Sequence, residues 1–156
     1  MRSRPLPAPR SLSGRTGLSV CGRQDSAAKV TPVIKLVMAI RRRGDVAPEE
    51  FHRYWREEHG PLARRLLEPL NLRRYVQTHT LDTELNTQLA AARGTVEAFD
   101  GVAELWWDSL DNLVAALGGE DGQRANAELA EDEARFIDLD RSSLFLTEEQ
   151  VIFDRG

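Results

Sequence analysis

Residues 33–40 read VIKLVMAI, an almost unbroken run of apolar and largely β-branched residues. Eight residues is strand length, and a strand that is apolar at successive positions is expected to be covered on both faces. That single reading organises the rest of the chain, because it asks what lies on each side of the strand.

The next segment supplies one cover. Pro48 stands at a first helical turn, with Glu49 and Glu50 suited to the positive end of the helix dipole. Phe51, Trp55, His59, Leu62 and Leu66 then recur in steps of four, four, three and four, which predicts one buried helical stripe. Gly60-Pro61 falls inside this stripe and is expected to interrupt the helix, since proline lacks the amide donor and crowds the preceding turn.

Further along, LRRYVQTHTL (72–81) alternates as a strand, with Tyr75, Gln77, His79 and Leu81 on one face. Residues 83–93 form a short helix candidate, and GVAELWW (101–107) is a third strand. Ser109 is a good N-cap for a helix with Leu110, Leu113 and Leu117 inward, closed by Gly118-Gly119. A further helix is expected from about 123 to 137, with Leu129 and Phe136 inward, before SLFLTEEQVIFD (143–154) ends the chain as a strand and an extended arm.

The resulting order β-α-β-β-α-β predicts an α+β fold, a ferredoxin-like split βαβ antiparallel sheet with its helices on one face. Helices on one face leave the other side of the first strand to be covered. A second copy of the sheet is the simplest cover, giving a two-fold homodimer through the sheet face.

The chain has 156 residues, 41% hydrophobic and 29% charged, which suits one soluble domain. Residues 1–30 carry six basic residues against Asp25 alone, a net of +5, and the remainder carries −9. The acidic body argues against nucleic acid as a partner. No run approaches the ~20 apolar residues of a membrane span. The leader 1–30, rich in Arg, Ser, Pro and Gly, is expected to be a disordered extension, with the domain occupying 31–156. Cys21 is the only cysteine, so neither a disulfide framework nor a cysteine metal cluster is available, and a cytoplasmic setting is expected.

Three histidines are candidates for chemistry. If Gly60-Pro61 ends the helical segment, His59 sits at a helix C-terminus, where the dipole favours the imidazolium and a general-acid role. The alternative is a core histidine satisfied by a carbonyl. His79 shares its strand face with Tyr75 and Gln77, as base, phenol donor and amide donor respectively, unless that face points to solvent or to the dimer seam. His52 lies nearer the rim of the helix and, with Arg53 and Arg56, is expected at the surface. Glu104, in an apolar strand, must be paired or hold a raised pKa. Trp55, Trp106 and Trp107 are core residues or walls of an aromatic pocket. No phosphate loop or serine nucleophile elbow is present.

Taken together, IKLVMAIRRR, PEEFHRYWREEHGPLARRL, RRYVQTHTL, FDGVAELWWDSL and DEARFIDLDRSSLFLTEEQVI resemble, in order and spacing, the EthD-domain family of the dimeric α+β barrel superfamily, over about residues 33–153. The resemblance implies a dimer through the sheet and a ligand cavity between sheet and helices. It places the family's catalytic histidine at WREEHGPL, hence His59. It implies a small enzyme without a cofactor, a decarboxylase, dehydratase, cyclase or isomerase acting on a hydrophobic keto or polyketide-like metabolite. In that reading His59 and His79 are catalytic, and Tyr75, Gln77, Trp55 and Glu104 hold the substrate. The competing readings are an accessory protein delivering such a metabolite to a partner oxidase and, below it, a haem-binding protein.

Overall fold

The three-dimensional structure, a computed structural model, describes residues 33–156. The expectation of a disordered leader, and Cys21 with it, lies outside the described residues. The elements in chain order are β1 (Ile34–Ile40), α1 (Pro48–Tyr54), a π-helical turn (Trp55–His59), α2 (Gly60–Arg65), β2 (Arg74–His79), α3 (Glu84–Arg93), β3 (Gly101–Trp107), α4 (Leu110–Gly118), α5 (Glu120–Glu133) and β4 (Ser143–Glu148).

The strands form one antiparallel sheet in the order β2-β3-β1-β4. Two crossovers place β1 in the middle, which is the split βαβ arrangement of a ferredoxin-like fold. Register determines which side chains share a face. Leu36 pairs with Leu105 and Leu146, and Tyr75 pairs with Leu105, so these four point to the helices. Lys35, Glu104, Trp106 and Arg74 point to the opposite side. There the Arg74 guanidinium lies 4.6 Å from the centre of the Trp106 ring, and Lys35 covers the same indole.

Two apolar clusters fill the space between sheet and helices. One joins Met38, Ile40, Phe51, Trp55 and Phe136, the other Ala63, Leu66, Leu70, Ala125 and Leu129, and Tyr75 packs against both. Gly101 is needed for the first cluster. A β-carbon there would sit 2.5 Å from the Trp55 ring and 2.9 Å from the Thr78 carbonyl oxygen, so the indole rests directly on the backbone of β3.

The elements differ from expectation in informative places. The helix does not end at Gly60-Pro61. Gly60 keeps helical dihedrals, and its N–H bonds the Trp55 carbonyl five residues back. Widening one turn moves the preceding carbonyls away from the Pro61 ring, so the chain absorbs the proline without breaking. The extra residue also rotates α2 relative to α1, and Ala63 rather than Leu62 is buried beside Leu66.

Helix α3 forms where expected, capped by Thr83, but buries none of its side chains. In α4 the Ser109 cap is present, while only Leu113 and Ala116 are buried, and Leu110 and Leu117 are about half exposed. Helix α5 starts three residues before the expected 123 and ends at Glu133, so Phe136 is buried from the turn beyond it. None of the described helices is long and apolar enough to cross a membrane.

Candidate functional site

A cavity of about 380 Å³ lies between the sheet and the helices, where the two apolar clusters meet. Its walls are mostly aliphatic and aromatic, the usual character of a small-molecule site. Leu144 and Leu146 of β4 line it and are 60% and 49% exposed, so the cavity opens beside that edge strand. Four lining residues carry polar groups beyond the indoles: His59, Tyr75, Asn126 and Glu133. Both lining indoles are committed elsewhere, Trp55 Nε1 to Tyr75 Oη at 3.0 Å and Trp107 Nε1 to the Leu70 carbonyl at 2.7 Å.

His59 is 5% exposed, and its Nδ1 lies 2.8 Å from Asp132 Oδ2. A carboxylate oxygen only accepts, so Nδ1–H donates and Nε2 keeps its lone pair. Nε2 has no partner among the described residues, and the ring borders the cavity. The other Asp132 oxygen accepts the Tyr54 hydroxyl at 2.6 Å. Tyr54 and His59 are five residues apart and on an α-helix would diverge by about 140°. The wide π-turn closes that angle, and both side chains reach one carboxylate on α5. The Gly60-Pro61 break in the sequence is therefore the origin of a Tyr54–Asp132–His59 anchor.

Burial pushes the His59 pKa below its ordinary value, against the opposing pull of Asp132. The resting ring is a neutral base. This corrects the expectation of an imidazolium favoured by a helix terminus, because the helix continues and its dipole has no end at His59.

Tyr75 is the second polar group of the cavity. Its oxygen accepts two hydrogen bonds, from Trp55 Nε1 and from Gln77 Nε2 at 3.1 Å. With both lone pairs occupied, its own O–H is left for a ligand. Burial raises its pKa to about 12, so it stays a donor at physiological pH. Gln77 does not line the cavity. Its amide nitrogen also caps the Trp55 carbonyl at 2.7 Å, at the wide turn. Gln77 therefore orients Tyr75 and Trp55 rather than touching a ligand.

His79 is placed differently from expectation. It is half-buried and outside the cavity, packed on Trp55 with ring centres 4.5 Å apart and the planes tilted by 38°. Its Nε2 donates to Gln77 Oε1 at 3.0 Å, and its Nδ1 faces His52 Nδ1 at 2.8 Å. The two δ nitrogens share one proton between them. His52 is accordingly half-buried rather than a surface residue, a correction that comes from its partner on β2. Burial first, then the neighbouring His52 and Arg56, lowers the His79 pKa.

Glu104 also falls outside the site. It points to the opposite face of the sheet and bonds Lys35 Nζ at 3.0 Å, so it is paired and does not hold a substrate in this cavity. Trp55 does line the cavity, at 1% exposure. Sequence reading missed Asp132, Tyr54 and Glu133. Asp132 and Glu133 sit in the acidic run EDEAR, whose composition reads as a solvated helix end and hides which carboxyl turns inward.

Glu133 borders the cavity without a hydrogen-bond partner among the described residues, and burial, helped by the neighbouring Asp132, raises its pKa to about 7. Among the described residues no group of three or more His, Cys, Asp and Glu could hold a metal ion.

Among curated proteins no match to the chain was found. Solved structures with the same fold include an EthD-like protein from Ralstonia eutropha, 21% identical, with a TM-score of 0.54 over 81% of this chain and 97% of the other. An EthD family protein from Bacillus halodurans is 19% identical, with a TM-score of 0.52 over 76% of this chain and 99% of the other. A hypothetical protein from Arabidopsis thaliana is 12% identical, with a TM-score of 0.50 over 79% and 92%. At this identity the likeness is one of fold. The sequence profile of the EthD domain matches residues 43–140, which span α1 to α5 and hold the Asp132–His59 pair. On that match the chain belongs to the EthD-domain family.

Proposed function

We propose that the protein is a small cofactor-independent enzyme that performs acid/base chemistry on a hydrophobic keto metabolite. One observation carries this reading: His59 Nε2 stands unpartnered at an apolar cavity, with its Nδ1–H anchored by Asp132. A carboxylate behind one ring nitrogen determines the tautomer, orients the ring and stabilises the imidazolium formed when the other nitrogen takes a proton.

In the proposed reaction the ligand carbonyl accepts the Tyr75 O–H. His59 Nε2 removes a proton from the adjacent carbon, and the C–H electron pair moves into the carbon–carbon bond of the enolate. The charge that develops on oxygen is met by the phenol, which Trp55 and Gln77 hold in place. The imidazolium then returns its proton: to the same carbon, to another carbon in an isomerisation, to a departing hydroxyl in a dehydration, or, in a cyclisation, to the alkoxide oxygen formed when the enolate carbon bonds a second carbonyl carbon of the ligand. Such assistance contributes typically ~10²–10⁴-fold, with the remainder supplied by positioning in the cavity.

The protein is taken to act as a homodimer through the sheet face opposite the helices, with the domain extending over 31–156, beyond the matched 43–140. Support for the wider boundary is that β1 and β4, near its two ends, are strands of the same sheet.

The test is deuterium exchange at the α-carbons of 2-tetralone, a neutral enolisable ketone, monitored by proton NMR in D₂O. Exchange above the buffer rate, lost in a folded His59→Gln variant, is the expected result. Binding of the ketone without accelerated exchange would instead identify an accessory carrier.

A further inference from the structure

The polar groups of the cavity are unbalanced in charge, and the proposed base does not use one of them. The helix α5 presents Asn126 and Glu133 to the cavity, seven residues apart and so on one face. His59 and Tyr75 face them from the π-turn and from β2. Strands β1, β3 and β4 and helix α4 contribute only apolar side chains and the committed indole of Trp107. Among the described residues no lysine or arginine lines the cavity.

The cations near this end of α5 are engaged elsewhere. Arg43 holds Asp45 and the Ala134 carbonyl, and Arg135 reaches Glu131. Asp132 is satisfied by Tyr54 and His59. Glu133 is thus a carboxyl at a largely apolar cavity with no counter-charge among the described residues.

From this we propose that Glu133 selects the charge of the ligand: the cavity admits neutral ketones and rejects carboxylates and phosphates. The inference deepens the function proposed above and rests on the cavity being a ketone site. An anionic ligand would place a second negative charge beside the first in a desolvated space with no cation to pair either, and an unpaired buried charge is a strong discriminator. A neutral carbonyl needs only the Tyr75 donor. Free keto acids, and decarboxylation as the reaction, are therefore disfavoured relative to enolisation, dehydration or cyclisation of uncharged substrates.

A matched pair of probes tests the selection by binding rather than turnover. 2-Acetylnaphthalene and 2-naphthoate are close in shape and differ in charge. Calorimetric titration at about pH 8.5, where the His59 ring that lines the cavity is neutral, should show the ketone binding at least about tenfold more tightly than the carboxylate. In Glu133→Gln the naphthoate should gain about fivefold or more while the ketone is unchanged. Naphthoate binding within about threefold of the ketone in the wild type would overturn the proposal. So would an unchanged ratio in Glu133→Gln, or failure of both probes to bind. Ketone exchange can fail while the binding ratio holds, and the reverse, so the two proposals are separable.

Discussion

His59 and His79 stand on neighbouring elements, one on the π-turn and the other on the strand that Trp55 of that turn packs against, yet their surroundings give them different work. His59 is buried, its Nδ1–H is anchored by a carboxylate, and its Nε2 is left to the cavity. His79 is half-buried, and both its nitrogens are consumed, one by Gln77 and one by His52. An imidazole acts as an acid or base only through a nitrogen that a ligand can reach. What separates the two is the identity of the second partner: Asp132 leaves one nitrogen free, whereas His52 and Gln77 together leave none. His79 still matters, because it holds Gln77, and Gln77 holds the Tyr75 phenol.

The sharpest way to break this contrast is the His59→Gln substitution. It should lower ketone exchange by about 10²–10⁴-fold in a protein whose circular dichroism is unchanged, and a loss under about tenfold would remove His59 from the chemistry.

Next in size, Asp132→Asn should cost on the order of 10²-fold, since an amide can donate to Nδ1 and place the proton on Nε2 instead. The pH profile adds a signature that simple loss of packing lacks. The base must be neutral, so the rate rises with pH through the His59 pKa, which lies below the ordinary 6.5. Asp132 raises that pKa, so without it the acid limb should move to still lower pH.

Gly101→Ala tests the scaffold. With the Trp55 ring and the Thr78 carbonyl inside contact distance of a β-carbon, it should destabilise by roughly 2 kcal/mol or more in denaturant melts and disturb the indole that packs on His79 and bonds Tyr75.

Glu133→Gln has a smaller effect that depends on pH. The carboxyl titrates at an ordinary 4.5 when unfolded and at about 7 in the native state. Between these values the unfolded chain holds fewer protons, so the native state loses stability as pH rises across the interval. The variant should gain about 1–3 kcal/mol at pH 8, discounted for partial exposure, and nothing near pH 4.

His79→Ala should be the mildest, under about tenfold in rate, because it only loosens Gln77. A loss as large as that of His59→Gln would return His79 to the reaction and refute the contrast.

Much of the scaffold was readable before folding. The limits of β3 at 101–107 and the cap at Ser109 follow from local pattern, because alternation and capping act between near neighbours. The shared face of Tyr75, Gln77 and His79 is likewise a two-residue period. The site was legible in part. His59 was marked by the proline after it and by its place on an apolar stripe. Its actual partner was not, since Asp132 is 73 residues away in a run of acids that all look solvated. Glu104 misled for the converse reason: alternation assigns it a face but not which face the helices cover.

The sequence by itself determined the split βαβ order, the strand faces and the presence of an irregularity in the helix at Gly60-Pro61, because each rests on interactions within a few residues. Only the tertiary structure decided that the proline is accommodated by a wide turn rather than a helix end. It also decided that the wide turn brings Tyr54 and His59 onto one carboxylate, and that Glu133 borders the cavity without a counter-charge. Those outcomes depend on how α5 packs across the π-turn, and packing between distant segments chooses among conformations that local rules leave equally open.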